Sequence, residues 1–585
     1  MQLRVGPLVR AVSAESAAVW CEWTAAGEVE LKAVPEQAVQ EQAAIPLTRS
    51  TRARTLCVGG HHYTLFRLTD LQPATWYAYT LTPILASGEP AAVAPSSFPS
   101  TGAQQRLIQC FRTLDLPGEG QPLRLAYGSC RNLSAPGPDT LSAFGTWLQT
   151  TFDERETLWP RLLLLIGDQI YADEGMRRRK KAVNSERRTP VESSLPPGAH
   201  SFEEFTALYE EAWMEDAGVQ QALAALPTYM IFDDHEITNS WNIAPSWLGQ
   251  ALRRGLEQTL VDGLVAYWLY QGWGNFCARS ASEHPLLALM QQAAQSGEDA
   301  LEELRDRVRK AVYGEIMPHW HYEIPTTPPI FVADVRADRP AFRGKTEAAA
   351  LDAPARIMSQ PQMEELRRWL QTHASTAVLL VSSVPALLPP AIGLTEYLAG
   401  IRPFQRGLLR QPAHLLAALQ RQLAQHMSFD HWPVFSDTWH ELVGLLATRQ
   451  RDLIILSGDV HFSYAAQART TLFPTKKRAT LYQLVASPFR NTLSKGNSDL
   501  IRGQSAIKRL FYGGLHIAML PLLRPWGAKH IPHDLLMQNA IALLTLWPQS
   551  SEGGDMSNYR LQQLYMGVKD GKMREIARTA FEYRE

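Results

Sequence analysis

Four times along this chain a short apolar run ends in a knot of polar residues. The runs are Leu123 to Tyr127, Arg161 to Ile166, Tyr229 to Phe232 and Leu453 to Leu456. The knots that follow are Gly128-Ser129-Cys130-Arg131-Asn132, Gly167-Asp168-Gln169-Ile170-Tyr171, Asp233-Asp234-His235-Glu236-Ile237-Thr238-Asn239 and Gly458-Asp459-Val460-His461. Runs of this length and composition are those of strands buried on both faces. Two more, Ile330 to Ala333 and Ala377 to Val381, extend the series. Helical periodicity at Phe202 to Glu215, Leu252 to Tyr270, Leu286 to Val312, Gln360 to Thr372 and Ala413 to His426 separates them. Strands alternating with helices give an α/β fold in which helices cover a sheet. The carboxyl ends of strands in such sheets converge on the ligand crevice, so the four knots are expected to meet.

At about 150 residues per domain, 585 residues amount to one large core and a small companion. The companion is expected at residues 1–104, where Ala17 to Trp23 and Thr75 to Leu81 are rich in β-formers and no helical period stands out. This is a small β-sandwich. Its segment Leu71-Gln72-Pro73-Ala74-Thr75-Trp76-Tyr77-Ala78-Tyr79 resembles the tyrosine-corner strand of fibronectin type III-like domains. The stretch Ala91 to Gln105 concentrates Pro, Ser, Gly and Gln and reads as a linker. Residues 105–585 then form the catalytic domain, with a C-terminal extension from about residue 500. There, Leu561 to Val568 and Met573 to Phe581 flank an Asp570-Gly571 turn and are expected to form a hairpin at the sheet edge.

Charge and cysteine content narrow the setting. With 57 basic and 58 acidic residues the net charge is −1, so nothing chain-wide attracts nucleic acid or an anionic membrane. The five cysteines are Cys21, Cys57, Cys110, Cys130 and Cys277; odd in number and without CxxC spacing, they indicate neither a disulfide framework nor a zinc ribbon. No secretory signal or transmembrane span is read, and a cytoplasmic location is the expectation. The phosphate loop GxxxxGK[ST] is absent, because Arg339 stands where the first Gly before Gly344-Lys345-Thr346 should be. Between Gly175 and Pro197 five consecutive cations, Arg177 to Lys181, form either a solvated loop or an overhang that attracts anionic substrate.

The knots supply a thiol, carboxylates, a phenol and two imidazoles. Carboxylates suit hard cations and can bridge two of them, imidazole suits borderline ions, and thiolate or phenolate favours a more acidic ion such as ferric iron. Each residue alone has a packing explanation. Four such clusters at strand ends do not, since buried carboxylates without counter-ions are costly. The mixture points to a multinuclear metal centre. His319-Trp320-His321 has the spacing of a metal pair but precedes Tyr322-Glu323-Ile324 and reads as structural. Ser129 completes no GxSxG elbow.

In order, GSCRN, LLLLIGDQIYADE, IFDDHEITNSWN and IILSGDVHFSY resemble the PhoD-type alkaline phosphatases, PhoD-like members of the calcineurin-like metallophosphatases. The opening VGPLVRAVSAESAAVWCEW is similar to that family's β-sandwich domain. The resemblance implies a layered metallophosphatase core, four layers deep as α/β/β/α. Cys130, Asp168, Tyr171 and His461 would hold Fe(III), with Asp168 bridging to a second ion. Asp234 and Asp459, with Asn239 as a further ligand, would shift that position toward Ca2+, other divalent metals being open. His235 would donate a proton to the leaving-group oxygen, oriented by Asp233 or Glu236. Arg131 and Asn132 would stabilise the phosphoryl charge, and Arg336 of Asp334-Val335-Arg336 would grip phosphate or form a structural ion pair. Ser382-Ser383 stands where the wider superfamily often carries a metal-binding His, a departure that suits the PhoD-like variant. The implied activity is a metallophosphatase hydrolase in which hydroxide attacks a phosphomonoester or phosphodiester, small or polymeric. The alternative is a catalytically silent, metal-containing binding or scaffold protein with a ligand-recruiting β-sandwich.

Overall fold

A computed structural model describes residues 1–36, 48–84, 107–116, 120–174, 197–243, 247–276, 284–316, 318–340, 355–401, 429–470, 479–525, 529–549 and 558–581. The cationic run, the linker at 91–105, the helix expected at 413–426, Cys277 and Gly344 to Thr346 lie outside them. The four described cysteines are free. Among the described residues no helix is long and apolar enough to cross a membrane.

The chain is a mixed α/β protein, and its described residues form four sheets. One small sheet has the order Leu3–Val12, Ala17–Trp23, His61–Leu68, Leu56–Val58; the other runs Arg49–Arg54, Glu28–Pro35, Trp76–Ile84, Cys110–Arg112. Tyr77 fixes the corner expected of it, because its hydroxyl accepts from the Gln72 N–H at 2.8 Å. The seven-stranded sheet is ordered Thr228–Ile231, Leu162–Ile166, Leu123–Gly128, Ile541–Gln549, Asn558–Lys569, Lys572–Thr579, Leu522–Leu523. The eight-stranded sheet is ordered Tyr322–Ile324, Ile330–Ala333, Val378–Ser382, Leu453–Ser457, Leu481–Val485, Tyr464–Thr470, Leu515–Met519, Arg509–Tyr512.

All six apolar runs read from the sequence are strands, paired in parallel as two groups. Alternation along them explains the layering. Leu379, Val381, Ile454 and Leu456 join the core that also holds Leu163 and Leu165, while Val378, Leu380, Leu453 and Ile455 join a second core. That second core contains Met363, Leu366 and Trp369 of helix Gln360–Thr372 and Leu442 and Leu446 of helix Ser436–Thr448. One face of the sheet therefore packs toward the other large sheet and the opposite face is roofed by helices.

Three local expectations are corrected. The helix expected over Leu286 to Val312 breaks into Pro285–Ser296 and Leu301–Val312, because Gly297 adopts φ +74° and caps the first piece. The helix expected over Leu252 to Tyr270 is split: Leu252 and Arg253 end helix Trp247–Arg253, and helix Glu257–Tyr267 passes into a π-helical segment at Trp268–Gly272. The Asp570-Gly571 turn does form a hairpin, both residues having positive φ, but it does not stand alone at the edge. Ile541–Gln549 inserts it beside Leu123–Gly128, and the two-residue strand Leu522–Leu523 takes the outer position. His319 and His321 lie just before strand Tyr322–Ile324, and His321 pairs with Glu365 at 2.7 Å.

The first small sheet is tied to helix Phe202–Met214 through the buried His61–Glu22 pair, which reaches the largely exposed Glu203. His61 donates to Glu22 and contacts Glu203, both at 2.7 Å, and the Tyr270 hydroxyl donates to Glu22 at 2.6 Å. Burial opposes protonation of His61, but its hydrogen bonds to the two glutamates outweigh it and raise the pKa. A histidine whose folded pKa lies above its unfolded value contributes stability fully below about pH 6.5 and loses it as pH climbs through the folded value. Urea unfolding should therefore show the difference between the parent and His61→Gln to be larger at pH 6 than at pH 9. An equal difference at both would remove His61 protonation from the account.

Candidate metal centre and active site

The carboxyl ends of the parallel strands place the four knots together. Cys130, Asp168, Asp459 and His461 share an unusual feature: all four have left-handed backbone, with φ of 59°, 55°, 67° and 60°. Non-glycine residues in sparsely populated backbone regions cost about 1–3 kcal/mol each and persist only where the surroundings impose them. Here hydrogen bonds between the knots impose them. The Cys130 N–H donates to Gly167 O at 3.2 Å and the Arg131 N–H to Asp168 O at 2.9 Å. The Asp459 N–H donates to Ser129 Oγ at 3.1 Å and the His461 N–H to Ser487 Oγ at 3.1 Å. Gly167, at φ +86°, is required where it stands, because a Cβ there would lie 2.4 Å from the Asp233 Cβ.

The side chains form overlapping groups. Cys130, Asp168 and His461 each offer a ligand atom, all within 4.8 Å of one another, and the same holds for Asp168, Asp234 and His235 and for Asp233, Asp234 and Asp459. Tyr171 closes the first group, with its hydroxyl 3.3 Å from Asp168 Oδ2 and 3.4 Å from His461 Nε2. Asp168 and Asp234 recur between groups and link them. Asn239 is exposed; its N–H donates to Asp173 Oδ2 and its Oδ1 accepts from Ser240.

Electrostatics tell the same story. Burial, reinforced by Asp168 and Asp459, pushes the Cys130 thiol well up. Burial also pushes up Asp168, Asp233, Asp234 and the Tyr171 phenol. It pushes His461 down to about 4, leaving a neutral imidazole. Asp459 resists burial and is held below the carboxylate range by His431 and Arg336. Like charges this close cannot all ionise without further cations. Among the described residues Asp233 Oδ2 is buried without a hydrogen-bond partner. A thiol, a phenol, neutral imidazole and shared carboxylates are a donor set that fits metal ions.

Arg131 and Asn132, expected to stabilise the phosphoryl charge, and Arg336, expected to grip phosphate or form a structural ion pair, all contact carboxylates in this structure. Arg131 is 2% exposed; its Nε donates to Asp139 at 2.8 Å and its Nη1 to Ala212 O, tying the cap of helix Thr140–Thr150 to helix Phe202–Met214. Asn132 donates to Glu174 at 2.7 Å. Arg336, fully buried, pairs with Asp233 at 2.5 Å, Asp459 at 3.1 Å and Asp430. His235 is oriented neither by Asp233, which faces Arg336, nor by Glu236, which accepts from the Asp168 and Gln169 backbone. Its partner is Asp173, 2.8 Å from Nδ1, and the ring stacks on Tyr171 at 4.3 Å. Burial opposes charge on His235, but the Asp173 hydrogen bond and Asp168 and Asp234 raise it well above its ordinary value. Sequence reasoning also missed Asp430, His431, Glu396 and Asn491, whose amide donates to the Tyr171 hydroxyl at 2.9 Å. Asp173 alone had a signal, as the carboxylate two residues beyond Tyr171.

Two family models match the chain: a domain of unknown function (DUF7800) over residues 1–92 and PhoD-like phosphatase over residues 125–272. No curated protein sequence matches it. Among solved structures, that titled "Structure of PhoD" superposes with a TM-score of 0.52 at 12% identity, covering 97% of this chain and 91% of that one. The purple acid phosphatase PPD1 from yellow lupin (Lupinus luteus) seeds gives a TM-score of 0.44 at 10% identity, covering 98% of this chain and 73% of that one.

The close approach of the knots makes Gly458 a sensitive position. A Cβ there would meet Ser129 Oγ at 2.2 Å and Ile166 O at 2.9 Å. Gly458→Ala should cost about 1–3 kcal/mol in chemical denaturation, through overpacking, and reduce metal retention by displacing Ser129 from Asp459. Gly444→Ala, in open space on helix Ser436–Thr448, is the control and should be neutral or stabilising.

Proposed function

We propose that this chain, a PhoD-like phosphatase through residues 125–272, is a metal-dependent phosphoesterase acting on phosphomonoesters and phosphodiesters at the junction of its strand-end knots. The observation that carries the reading is the convergence of Cys130, Asp168, Tyr171 and His461, four different donors at three strand ends, of which Cys130, Asp168 and His461 stand on left-handed backbone. On this reading those four would hold Fe(III), and Asp168 would be shared with a second position to which Asp234, Asp459 and Asn239 would contribute, an oxygen set that suits Ca2+. When bound, such ions acidify water and neutralise charge building on a phosphoryl group.

The protein's own groups do the rest. His235, held at Nδ1 by Asp173 and flanked by Tyr171, presents Nε2 to protonate the leaving-group oxygen. Its carboxylate neighbours favour the charged ring this task needs. Arg336 keeps Asp233 and Asp459 in place, and Arg131 and Asn132 brace the wall, so none of the three is assigned to the phosphate. In domain terms we take residues 1–104 as a fibronectin type III-like sandwich and 105–585 as a four-layered catalytic unit. The strands beyond about residue 500 are included because Ile541–Gln549 adjoins Leu123–Gly128.

Purified protein should contain metal and release phosphate or alcohol from a panel of mono- and diesters; bound metal without turnover would favour a binding protein. His235→Ala should keep its metal and lose about 10²–10⁴-fold in kcat. Asp173→Asn removes the negative charge that helps raise His235, so the alkaline limb of the pH–kcat profile should move to lower pH; an unmoved limb would reject His235 as the acid. If the first position holds ferric iron, a visible charge-transfer band should be present in the parent and lost in Tyr171→Phe or Cys130→Ala. A colourless active protein would reject iron.

A further inference from the structure

Beyond the four knots, a second chain of polar contacts reaches Asp459 from the opposite side. Glu396, on helix Pro390–Gly400, accepts from His431 Nδ1 at 2.7 Å, and His431 Nε2 lies 3.1 Å from Asp459 Oδ2. The Glu396 and His431 side chains are 2% and 12% exposed. The next residue, Trp432, is buried, and its indole donates to Ser382 Oγ at 3.0 Å, which pins this segment to the end of strand Val378–Ser382. Asp430, His431 and Asp459 each offer a ligand atom, all within 4.8 Å of one another. None of Glu396, Asp430 and His431 falls within residues 125–272.

The two ring nitrogens stand in different settings. Nδ1 is taken by a buried carboxylate, the arrangement that fixes the tautomer and orientation of metal-bound histidines. Nε2 faces Asp459 Oδ2, and a bound ion would replace the proton between them. Its 3.1 Å separation from Asp459 Oδ2 is that of neighbouring donors on one ion, whose bonds to nitrogen and oxygen are about 2.0–2.2 Å. Asp459 has its other oxygen on Arg336, so Oδ2 is the one that faces the ring. We propose that His431 Nε2 is a further ligand of the metal centre, binding a divalent ion together with Asp459, with Glu396 as the buried group that orients it. An imidazole in this position favours a borderline ion such as Zn2+ over Ca2+, which prefers oxygen alone. The inference rests on the metal-centre reading above and adds a ligand and a selectivity to it.

Calorimetric titration of the metal-stripped protein with Zn2+ and with Ca2+, alongside elemental analysis, tests this. His431→Ala should lose one Zn2+ equivalent or weaken its binding at least tenfold, while Ca2+ binding and any visible band involving Tyr171 persist. Glu396→Gln, which keeps the shape of the side chain and decides the matter if His431→Ala does not fold, should weaken the same site about 10–100-fold. A folded Glu396→Gln or His431→Ala protein with parental Zn2+ stoichiometry and affinity would overturn the ligand assignment and leave the centre itself standing. A parent chain that takes up no metal would overturn both.

Discussion

A single buried guanidinium organises the middle of this molecule. Arg336 is 0% exposed, and its three nitrogens reach Asp233, Asp430 and Asp459, which belong to three segments far apart in sequence. Removing one partner from a buried ionic group costs about 3–5 kcal/mol, because the remaining charge is left uncompensated. The arrangement therefore fixes where Asp459 stands relative to Asp234, and through Ser129 and the Asp459 N–H it also fixes Cys130. The opposing carboxylates hold Arg336 charged despite its burial, which otherwise works against that charge. Arg336 does not offset all the carboxylates gathered here: burial, together with the neighbouring carboxylates, raises Asp168, Asp233 and Asp234.

The scaffold around this core depends on both ends of the chain. Near the start, Tyr229 exchanges hydrogen bonds with the Val12 backbone, and Tyr79 donates to Ala224 O, so the small sheets brace the segment that delivers Asp233 and Asp234. Near the end, Ile541–Gln549 pairs along Leu123–Gly128, the strand that carries Cys130. Asn539, two residues before that strand, accepts from the Asn491 N–H, and Asn491 in turn touches Tyr171 and His461. Sequence termini and site residues are thus mechanically connected through backbone pairing.

What could be read in advance follows from this physics. Apolar runs bounded by glycine and carboxylate are local signals, and all six strands they announced are present. The knots were legible for the same reason, since a strand end that breaks into Gly-Asp or Asp-Asp-His has few structural uses. Pairing between distant segments leaves no local trace, so the hairpin around Asp570 was recognisable while its place inside the sheet was not. The partner of Arg131 was also hidden, and Arg336 could be read either as a phosphate grip or as an ion pair: an arginine beside a metal motif looks the same whether it meets phosphate or Asp139. His431 had no chance of detection, because its importance comes from Glu396 on a helix thirty-five residues earlier.

The His235–Asp173 pair bears on whether the centre is catalytic or only structural. Burying an imidazolium beside prospective cation sites is unfavourable for a protein that needs metals simply to hold its shape, since the ring repels the ions it adjoins. A neutral or apolar residue would serve a scaffold better. Here the ring is instead held charged by a dedicated carboxylate, stacked on a phenol and placed within reach of the same Asp168 that joins two ligand groups. Bound cations would lower its pKa from this raised starting value toward the neutral range, where a general acid works best. On the proposed reading, the raised value is a counterweight to metals and the pair is placed to deliver a proton.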